Sequence, residues 1–354
     1  MKLNKHRLFR QVGRLSYLSV FILILLGGIV RSTGSGMGCP DWPKCFDRLV
    51  PPTCACQLPP DAESRLNLKR EEKLEKFASL LEKLGMGDKA IEIRKDPRLR
   101  LHEPFNPLKA WIEYINRLYG ALTGLFVFLL LLLSLNYLRS KPTVFWLTLA
   151  GFVLTFFNAW LGSKVVVTNL LPGLVSMHFM LSFGAVIFFM AAVMWQQEPQ
   201  VRFTPKPSFN LWAGLAFISL IQISLGALVR ERVDMLEHYG SLTQENGWLN
   251  MDAMGRLFLL HRGMSMLILG IHAIIWWRTF KTTSRDARYF QLQNIMMLLF
   301  LVQISTGAIN TMYPFPMVAR ILHILLGSIC FGIQLYLSLS SLRQTKKIQN
   351  GLPA

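Results

Sequence analysis

Apolar residues fall in eight long blocks along the chain, and polar segments separate these blocks. The blocks are continuously apolar rather than alternating, which excludes the strand pattern of a membrane β-barrel. A helix of about 20 residues crosses a hydrocarbon core about 30 Å thick. The pattern therefore predicts an all-α integral membrane protein with eight transmembrane helices. The predicted spans are 15–30, 111–138, 144–162, 172–195, 210–229, 255–277, 295–310 and 317–337.

The eight spans divide into two sets of four that repeat in sequence. The first and fifth spans match, as LGGIVR at 26–31 and LGALVR at 225–230. Both sets begin on the same side of the membrane, so the duplication is parallel. We predict two parallel-repeated four-helix bundles, an N-terminal half of residues 1–31 and 109–200 and a C-terminal half of residues 201–354. Four further pairs of positions share one separation along the chain: Asn116 with His261, Arg117 with Arg262, Gly162 with Gly307, and His178 with His323.

The longest polar segment, residues 32–108, joins the first two spans and is predicted to be an extracytoplasmic loop. It contains a charged amphipathic helical pair from about residue 62 to residue 93, broken at 85–87. An apolar stripe of helical period indicates packing on another surface, so we interpret the pair as a cap on the membrane domain. The stripe consists of Leu66, Leu74, Phe77, Leu80, Leu81 and Leu84.

The formal net charge of +18 does not indicate nucleic-acid binding, because of where the charges lie. Lys and Arg cluster before the first span, after the last span and in every second loop. This is the positive-inside distribution, and it predicts that both termini are cytoplasmic. Residues 27–38 lack the small-residue pattern of a signal-peptide cleavage site, so we expect the first span to be retained.

Two histidines in the C-terminal half are the strongest cofactor candidates. His261 and His323 lie about two turns from the outer ends of their spans, at one depth. Ionisable residues inside spans are costly and indicate function. Two imidazoles at one depth on different helices can ligate a haem iron from both faces. The alternative is that each histidine forms a hydrogen bond between helices; a zinc site would need further ligands.

The N-terminal half differs at one ligand position. His178 lies at the matching depth, but Asn116 stands where the repeat has His261. An amide is a poor ligand for haem iron, so a haem here would have an open or weak sixth position, and an open iron can bind oxygen. The alternative is a lost or purely structural site.

An acid also distinguishes the two halves. Glu113 precedes Asn116 by three residues on the same helix face, and its counterpart in the repeat is Phe258. Glu113 is either a proton donor or base beside the iron or an acid that stabilises the helix end.

Four arginines, Arg31, Arg117, Arg230 and Arg262, occupy repeated positions toward the outer side. A guanidinium group suits a carboxylate, so they can hold haem propionates; anchoring at the membrane interface is the alternative for each.

Four cysteines, Cys39, Cys45, Cys54 and Cys56, lie in the outer loop. Extracytoplasmic cysteines can form disulfides, and Cys39 with Cys45 is the pair that we favour. A metal site that uses several of the four is the alternative. Cys330, in the eighth span, is predicted to be a small buried apolar residue.

These residues together resemble the haem A synthase family, which serves cytochrome oxidase assembly. The resemblance rests on the string GIVRSTGSGMGCPDWP at 28–43, on Glu113-x-x-Asn116-Arg117, on His261-Arg262, and on the positions of His178 and His323. The family's motif is Glu-x-x-His-Arg, so Asn116 is a departure from it. The charged segment from 62 to 100 is also longer than expected for the family.

The resemblance implies an oxidoreductase that converts haem O to haem A by oxidising a ring methyl group to a formyl group, with oxygen and external electrons. It implies a haem b cofactor with His261 and His323 as axial ligands, and a substrate haem site with His178 as ligand and Glu113 as the catalytic acid. The basic start does not fit a transit peptide, so we expect a multi-pass protein of the bacterial inner (cytoplasmic) membrane. Expected partners are haem O, membrane lipid, an external electron donor, the haem O synthase and further copies of the chain.

Two other functions fit part of the pattern. A b-type cytochrome that exchanges electrons with quinone would explain His261 and His323, but not the asymmetry at Glu113 and Asn116. A non-catalytic haem-binding assembly factor would explain Asn116 if that change abolished catalysis. A requirement for oxygen would distinguish the enzyme from both.

Overall fold

The computed structural model describes residues 5–36, 44–46, 48–100, 104–198, 208–238, 244–245, 248–249, 251–282, 287–312 and 316–349. This part of the chain is nearly all helical. Its longer helices are α1 (Lys5–Thr33), α2 (Ala62–Lys83), α3 (Gly87–Lys95), α4 (Pro107–Ser134), α5 (Pro142–Val167), α6 (Pro172–Gln196), α7 (Phe209–His238), α8 (Met251–Thr282), α9 (Arg288–Ile309) and α10 (Met317–Gln349). Two short strands, β1 (Gln244–Glu245) and β2 (Trp248–Leu249), pair in antiparallel fashion.

Eight of the described helices, α1 and α4 to α10, are long and apolar enough to cross a membrane. The predicted all-α fold class and the eight spans are confirmed. The helices extend beyond the apolar blocks, because backbone hydrogen bonding continues into polar residues at the helix ends; α1 begins at Lys5. One regular helix is interrupted: Gly255, near the start of α8, has a φ of 72°, a left-handed conformation that glycine adopts without steric cost.

The last four helices pack as a closed ring. Helix α7 contacts α8 and α10, and α9 contacts the same two helices. Their common core is apolar. It includes Cys330, which is buried as the sequence predicts. Other core side chains are Trp212, Leu215, Ile268, Met296, Phe300 and Leu337.

The same compact unit contains the segments Met1–Leu25 and Leu125–Val153 and the part of α6 that begins at Phe183. Its core in this region is formed by Phe9, Leu130, Val144 and Phe189, which come from α1, α4, α5 and α6 respectively. Within the unit, α10 packs on α6 through Phe331 and Phe183, whose ring centroids are 5.2 Å apart. These contacts place side chains of all four N-terminal spans around one apolar cluster.

A second compact unit consists of Leu26–Gly124 and Leu154–Ser182. It contains the outer-loop helices α2 and α3, which follow one another through a turn at Gly85, where φ is 79°. Phe77 of α2 and Ile93 of α3 are buried in a cluster with Val167, and Leu174 packs against it. Two helices are present where the helical pair was predicted, and they pack against Val167 and Leu174; the extracytoplasmic side of this cap stays a prediction. The predicted division into an outer loop and two halves stays a prediction.

Polar contacts also hold the cap. Arg94 of α3 donates hydrogen bonds to Glu75 Oε1 (2.7 Å) and Glu82 Oε2 (3.1 Å) of α2. The hydrogen bond to Glu75 has the largest effect on the pKa of the Arg94 guanidinium, and the bond to Glu82 the next largest. Both raise this pKa above its usual value. At the other edge, the Asn169 side chain donates a hydrogen bond to the Leu99 carbonyl oxygen (3.1 Å). The cap is therefore joined both within itself and to the turn between α5 and α6.

Candidate functional site

The structure brings the two histidines of the C-terminal half close together, with their ring planes inclined at 65°. The ring centroids of His261 on α8 and His323 on α10 are 6.3 Å apart. Because a metal–imidazole bond is about 2 Å long, two rings on opposite sides of one metal ion have centres roughly 6 Å apart. The spacing therefore fits one iron held between the two rings.

Each ring of this pair lies against a glycine of a neighbouring helix. A Cβ atom added at Gly307 of α9 would lie 3.0 Å from His323 Cε1, and one added at Gly226 of α7 would lie 3.0 Å from His261 Cε1. These distances are tighter than ordinary side-chain packing. Glycine at both positions thus makes room for the imidazoles, and we call each such glycine a ring seat.

Hydrogen bonds fix which nitrogen of His323 is available. Its Nδ1 donates to the backbone carbonyl oxygen of Gln303 (2.9 Å) and lies 3.2 Å from Thr306 Oγ1. A carbonyl oxygen can only accept, so the proton lies on Nδ1 and the lone pair on Nε2. A second-sphere bond of this kind sets the tautomer and orientation of a metal-binding histidine.

His261 is held differently. The Gln222 side chain donates a hydrogen bond to its backbone carbonyl oxygen (2.9 Å). Its Nδ1 atom is buried and makes no hydrogen bond within the described part of the chain. A buried ring nitrogen without a partner calls for a proton acceptor, a water molecule or a ligand. No hydrogen bond within the described residues therefore fixes the tautomer of His261 in the way that the Gln303 carbonyl fixes that of His323.

His178 repeats the arrangement in the N-terminal half. Its Nδ1 donates to the Asn158 carbonyl oxygen (3.0 Å), and a Cβ added at Gly162 would lie 2.9 Å from its Cε1 atom. Asn158 and Gly162 have the same separation from Gln303 and Gly307 as His178 has from His323. The repeat therefore includes both the ring seat and the orienting carbonyl.

The fourth position of this pattern is different. Asn116 is half-buried, and its side chain makes no hydrogen bond within the described residues. Gly27, which matches Gly226 in the repeat, has no described atom within 4 Å of an added Cβ. A ring seat is thus retained in the N-terminal half without a histidine ring against it.

The acid that distinguishes the halves is deeply buried. Glu113 is only 2% exposed, and it forms an ion pair with Arg117 one turn further along α4. Burial of an unpaired carboxylate is costly, and a guanidinium partner offsets much of that cost. Arg117 therefore compensates the charge of Glu113, and it is not simply an anchor at the membrane surface.

The other three predicted arginines are placed differently. Arg230 forms an ion pair with Asp234 in α7 (2.5 Å). Arg262 is exposed and has no carboxylate partner within the described residues, because Phe258 replaces the acid one turn earlier. Arg31 is half-buried near the end of α1. Arg117 and Arg230 thus each pair with a carboxylate on their own helix, whereas Arg262 does not within the described part of the chain.

Several residues that position the ligands were not recognised from sequence. Gln222, Asn158, Gln303 and Thr306 had no assigned role, and the glycine repeat had no assigned contact. The sequence does contain a signal for some of these roles: Asn158 and Gln303 have the same separation along the chain as His178 and His323. No described group of three or more His, Cys, Asp or Glu side chains could hold a metal ion. A histidine pair suits haem, since the porphyrin supplies the remaining iron ligands.

The cysteines of the outer loop form disulfides. Cys54 and Cys56 are joined to each other, a pairing that the sequence left open. Cys45 is also disulfide-bonded. Cys39, its predicted partner, lies outside the described residues, so that pairing stays a prediction.

The comparison with known families agrees with these features. Residues 11–67 and 92–335 match the family described as cytochrome oxidase assembly protein. The chain belongs to this family. The match omits residues 68–91, which hold most of α2 and the first part of α3, so the cap lies largely outside what the family shares.

Three curated relatives are similar over most of the chain. The heme A synthase of Shouchella clausii is 23% identical over 97% of this chain and its own whole length. That of Shewanella oneidensis is 22% identical over 88% of this chain and 89% of its own length. That of Staphylococcus epidermidis is 25% identical over 69% of this chain and 82% of its own length. The resemblance to haem A synthases is confirmed at the level of the family.

Proposed function

We propose that this protein is a haem A synthase of a bacterial cytoplasmic membrane, with both termini in the cytoplasm. It oxidises a methyl group of haem O to the formyl group of haem A, using oxygen and external electrons. The observation that supports this most is the asymmetry between two otherwise matched ligand sets. The half that lacks one histidine is also the half with the buried Glu113–Arg117 pair.

In the C-terminal half, His261 and His323 hold a haem b through their two rings, whose centroids are 6.3 Å apart. A haem with two histidine ligands supplies one-electron transfer. The Gln303 carbonyl and the ring seats Gly226 and Gly307 keep the rings oriented for ligation. These residues hold a redox cofactor rigidly, which suits a site that changes only its charge.

In the N-terminal half, His178 positions the substrate haem O. The Asn158 carbonyl fixes the proton on Nδ1 and leaves Nε2 as the ligand atom. Glu113 is the group that takes up and releases protons during the methyl oxidation, and Arg117 stabilises its charged form in the apolar surroundings. Phe258, at the matching position of the other half, has no ionisable group and cannot do this.

The arginines bind the carboxylate groups of the porphyrins. Arg262 and Arg230 serve the C-terminal haem, and Arg31 and Arg117 serve haem O. Arg262 fits this role best, because its guanidinium has no carboxylate partner within the described residues. Haem O reaches the site from the membrane, where a haem O synthase is the expected supplier, and an external donor reduces the C-terminal haem.

The test is to express the full chain in cells that supply haem O, purify it in mild detergent and identify the extracted haems by mass spectrometry. We expect haem A or its hydroxylated precursor from the parent chain. Glu113→Gln should abolish this product. Glu71→Gln, which changes an exposed carboxylate of α2, is the matched control and should leave it unchanged.

Haem B alone, lost in His323→Ala and never accompanied by oxidised haem O, would contradict the proposal. It would instead indicate a b-type cytochrome that exchanges electrons with quinone or a haem-binding assembly factor.

A further inference from the structure

A second polar pair lies further along the two helices that carry the histidine pair. His272 follows His261 on α8 by eleven residues. Gln334 follows His323 on α10 by the same number. Eleven residues are close to three helical turns, so each residue of the second pair lies on the same helix face as its histidine, about 16 Å further along the axis. The Gln334 side-chain amide donates a hydrogen bond to His272 Nε2 (3.0 Å), so the two helices meet at two levels.

This hydrogen bond crosses the core of the four-helix ring. Helices α7 and α9 each contact both α8 and α10, so the two bonded helices lie on opposite sides of the ring. The His272 ring packs between them, with centroid distances of 4.5 Å to Phe300 of α9 and 5.7 Å to Trp212 of α7. A buried polar contact in a helical bundle specifies the register of its helices. The bond therefore sets the relative height of α8 and α10 directly, without the helices between them.

Stability alone does not account for this pair. His272 is 1% exposed and Gln334 is 0% exposed. Besides the bond that they share, His272 Nδ1 and Gln334 Oε1 have no hydrogen-bond partner within the described residues. A buried polar atom without a partner destabilises a fold, and an apolar pair of the same shape avoids that cost. The pair thus calls for a role other than stabilisation.

The N-terminal half contains the apolar alternative. Val127 and Phe189 precede His272 and Gln334 by the same number of residues that relates the other matched positions of the repeat. Both are buried, and they belong to one apolar cluster. The repeated bundle therefore accepts an apolar pair at this level. The polar pair occurs in the half that also has the two ligand histidines.

We propose that His272 and Gln334 are positioning residues, which hold α8 and α10 in register. Their role is to keep His261 and His323 at one level for haem ligation. The inference rests on the proposed function, which places a haem between those two histidines. A shift of one residue along a helix is about 1.5 Å, which is large beside a metal–imidazole bond of about 2 Å. The haem of the N-terminal half, with His178 as its one histidine ligand, does not require two helices in register.

The test compares the low-spin haem signal of the purified full chain with that of a double variant. His272→Phe with Gln334→Met keeps a ring and an unbranched side chain but removes both polar groups, a change of shape that cores tolerate. We expect this variant to retain haem and to resist heat at least as well as the parent chain. Its electron paramagnetic resonance spectrum should show a broadened or second set of g values in place of one sharp set, because these values depend on the orientation of the axial rings.

Two single variants complete the comparison. His272→Gln is the rescue variant, because a second amide can again form a hydrogen bond with Gln334, and its spectrum should match that of the parent chain. Trp276→Phe is the matched control. It removes the hydrogen bond from Trp276 Nε1 to Asn294 Oδ1 (2.6 Å), which joins α8 to α9, and it should leave the haem signal unchanged.

An unchanged spectrum in a double variant that still binds haem would overturn the inference, and so would an equal change in Trp276→Phe. A double variant that does not fold would also overturn it, because the pair would then be required for folding instead of alignment. A parent chain without any haem that depends on His323 would contradict both this inference and the proposed function. A chain that holds this haem but never oxidises haem O would contradict the proposed function alone, since the signal belongs to the C-terminal haem.

Discussion

At the scale of single residues, glycines and backbone carbonyls determine how the histidines are presented. The sequence predicted that His178, His261 and His323 belong together, because their positions repeat at equal depth. It did not predict the ring seats, because a glycine in a membrane helix is common for other reasons, such as close helix packing. Only the contact between Gly307 and the ring of His323 gives that glycine its role.

Gly307→Ala should therefore disturb haem binding in the C-terminal half. The added methyl group would lie 3.0 Å from His323 Cε1, and overpacking of this kind costs about 1–3 kcal/mol. We expect haem retention to weaken by about tenfold, measured as haem per protein after detergent purification.

Gly263→Ala is the matched control, since an added Cβ at this glycine of α8 meets no described atom within 4 Å. Equal haem retention in the two variants would contradict the ring-seat interpretation.

At the scale of elements, the apolar pattern predicted the helices well and their ends less well. The cap stripe is an example: Leu66, Leu74 and Phe77 are buried, but Leu84 is 65% exposed. The prediction was wrong at Leu84 because this residue is the C-terminal cap of α2, where the chain turns toward α3 and the helical period no longer applies. Periodicity alone does not show where a helix stops.

The cap packs on the helix that carries His178. Leu174, which packs against the cap cluster, precedes His178 by one turn of α6. The segment absent from the family match, 68–91, contains Leu74, Phe77 and Ala90 of this cluster. We infer that this inserted element stabilises the outer end of the N-terminal haem site. The charged composition of the segment does not by itself indicate this role.

Phe77→Ala should loosen the cap selectively. Removal of a buried phenylalanine ring costs about 3–5 kcal/mol, and Phe77 is 4% exposed. We expect faster proteolysis within residues 62–95 and a lower yield of haem O bound on His178, with the haem on His261 and His323 retained.

The comparison variant is Leu84→Ala, which removes an exposed side chain from the same helix. If both variants resist protease like the parent chain, the cap does not depend on the Phe77 cluster.

At the scale of the whole molecule, two related halves have different proposed tasks. The eight spans and the all-α class could be predicted from hydropathy, because long apolar blocks have few alternatives in a membrane. The two compact units could not be predicted from the sequence, because one of them combines the C-terminal helices with segments of the N-terminal spans. Packing between helices depends on the shapes of the side chains along each helix face. The mean hydropathy of a span contains no information about these shapes.

The proposed function requires the C-terminal haem to supply electrons for oxidation of haem O in the N-terminal half, and isotopically heavy oxygen gas provides the test. The purified chain, loaded with haem O and supplied with a reductant, is incubated under the labelled gas, and the hydroxylated haem precursor is analysed by mass spectrometry. We predict labelled precursor from the parent chain and little or none from His323→Ala, although that variant still binds haem O through His178. Unlabelled product, or equal labelling in His323→Ala, would contradict the account.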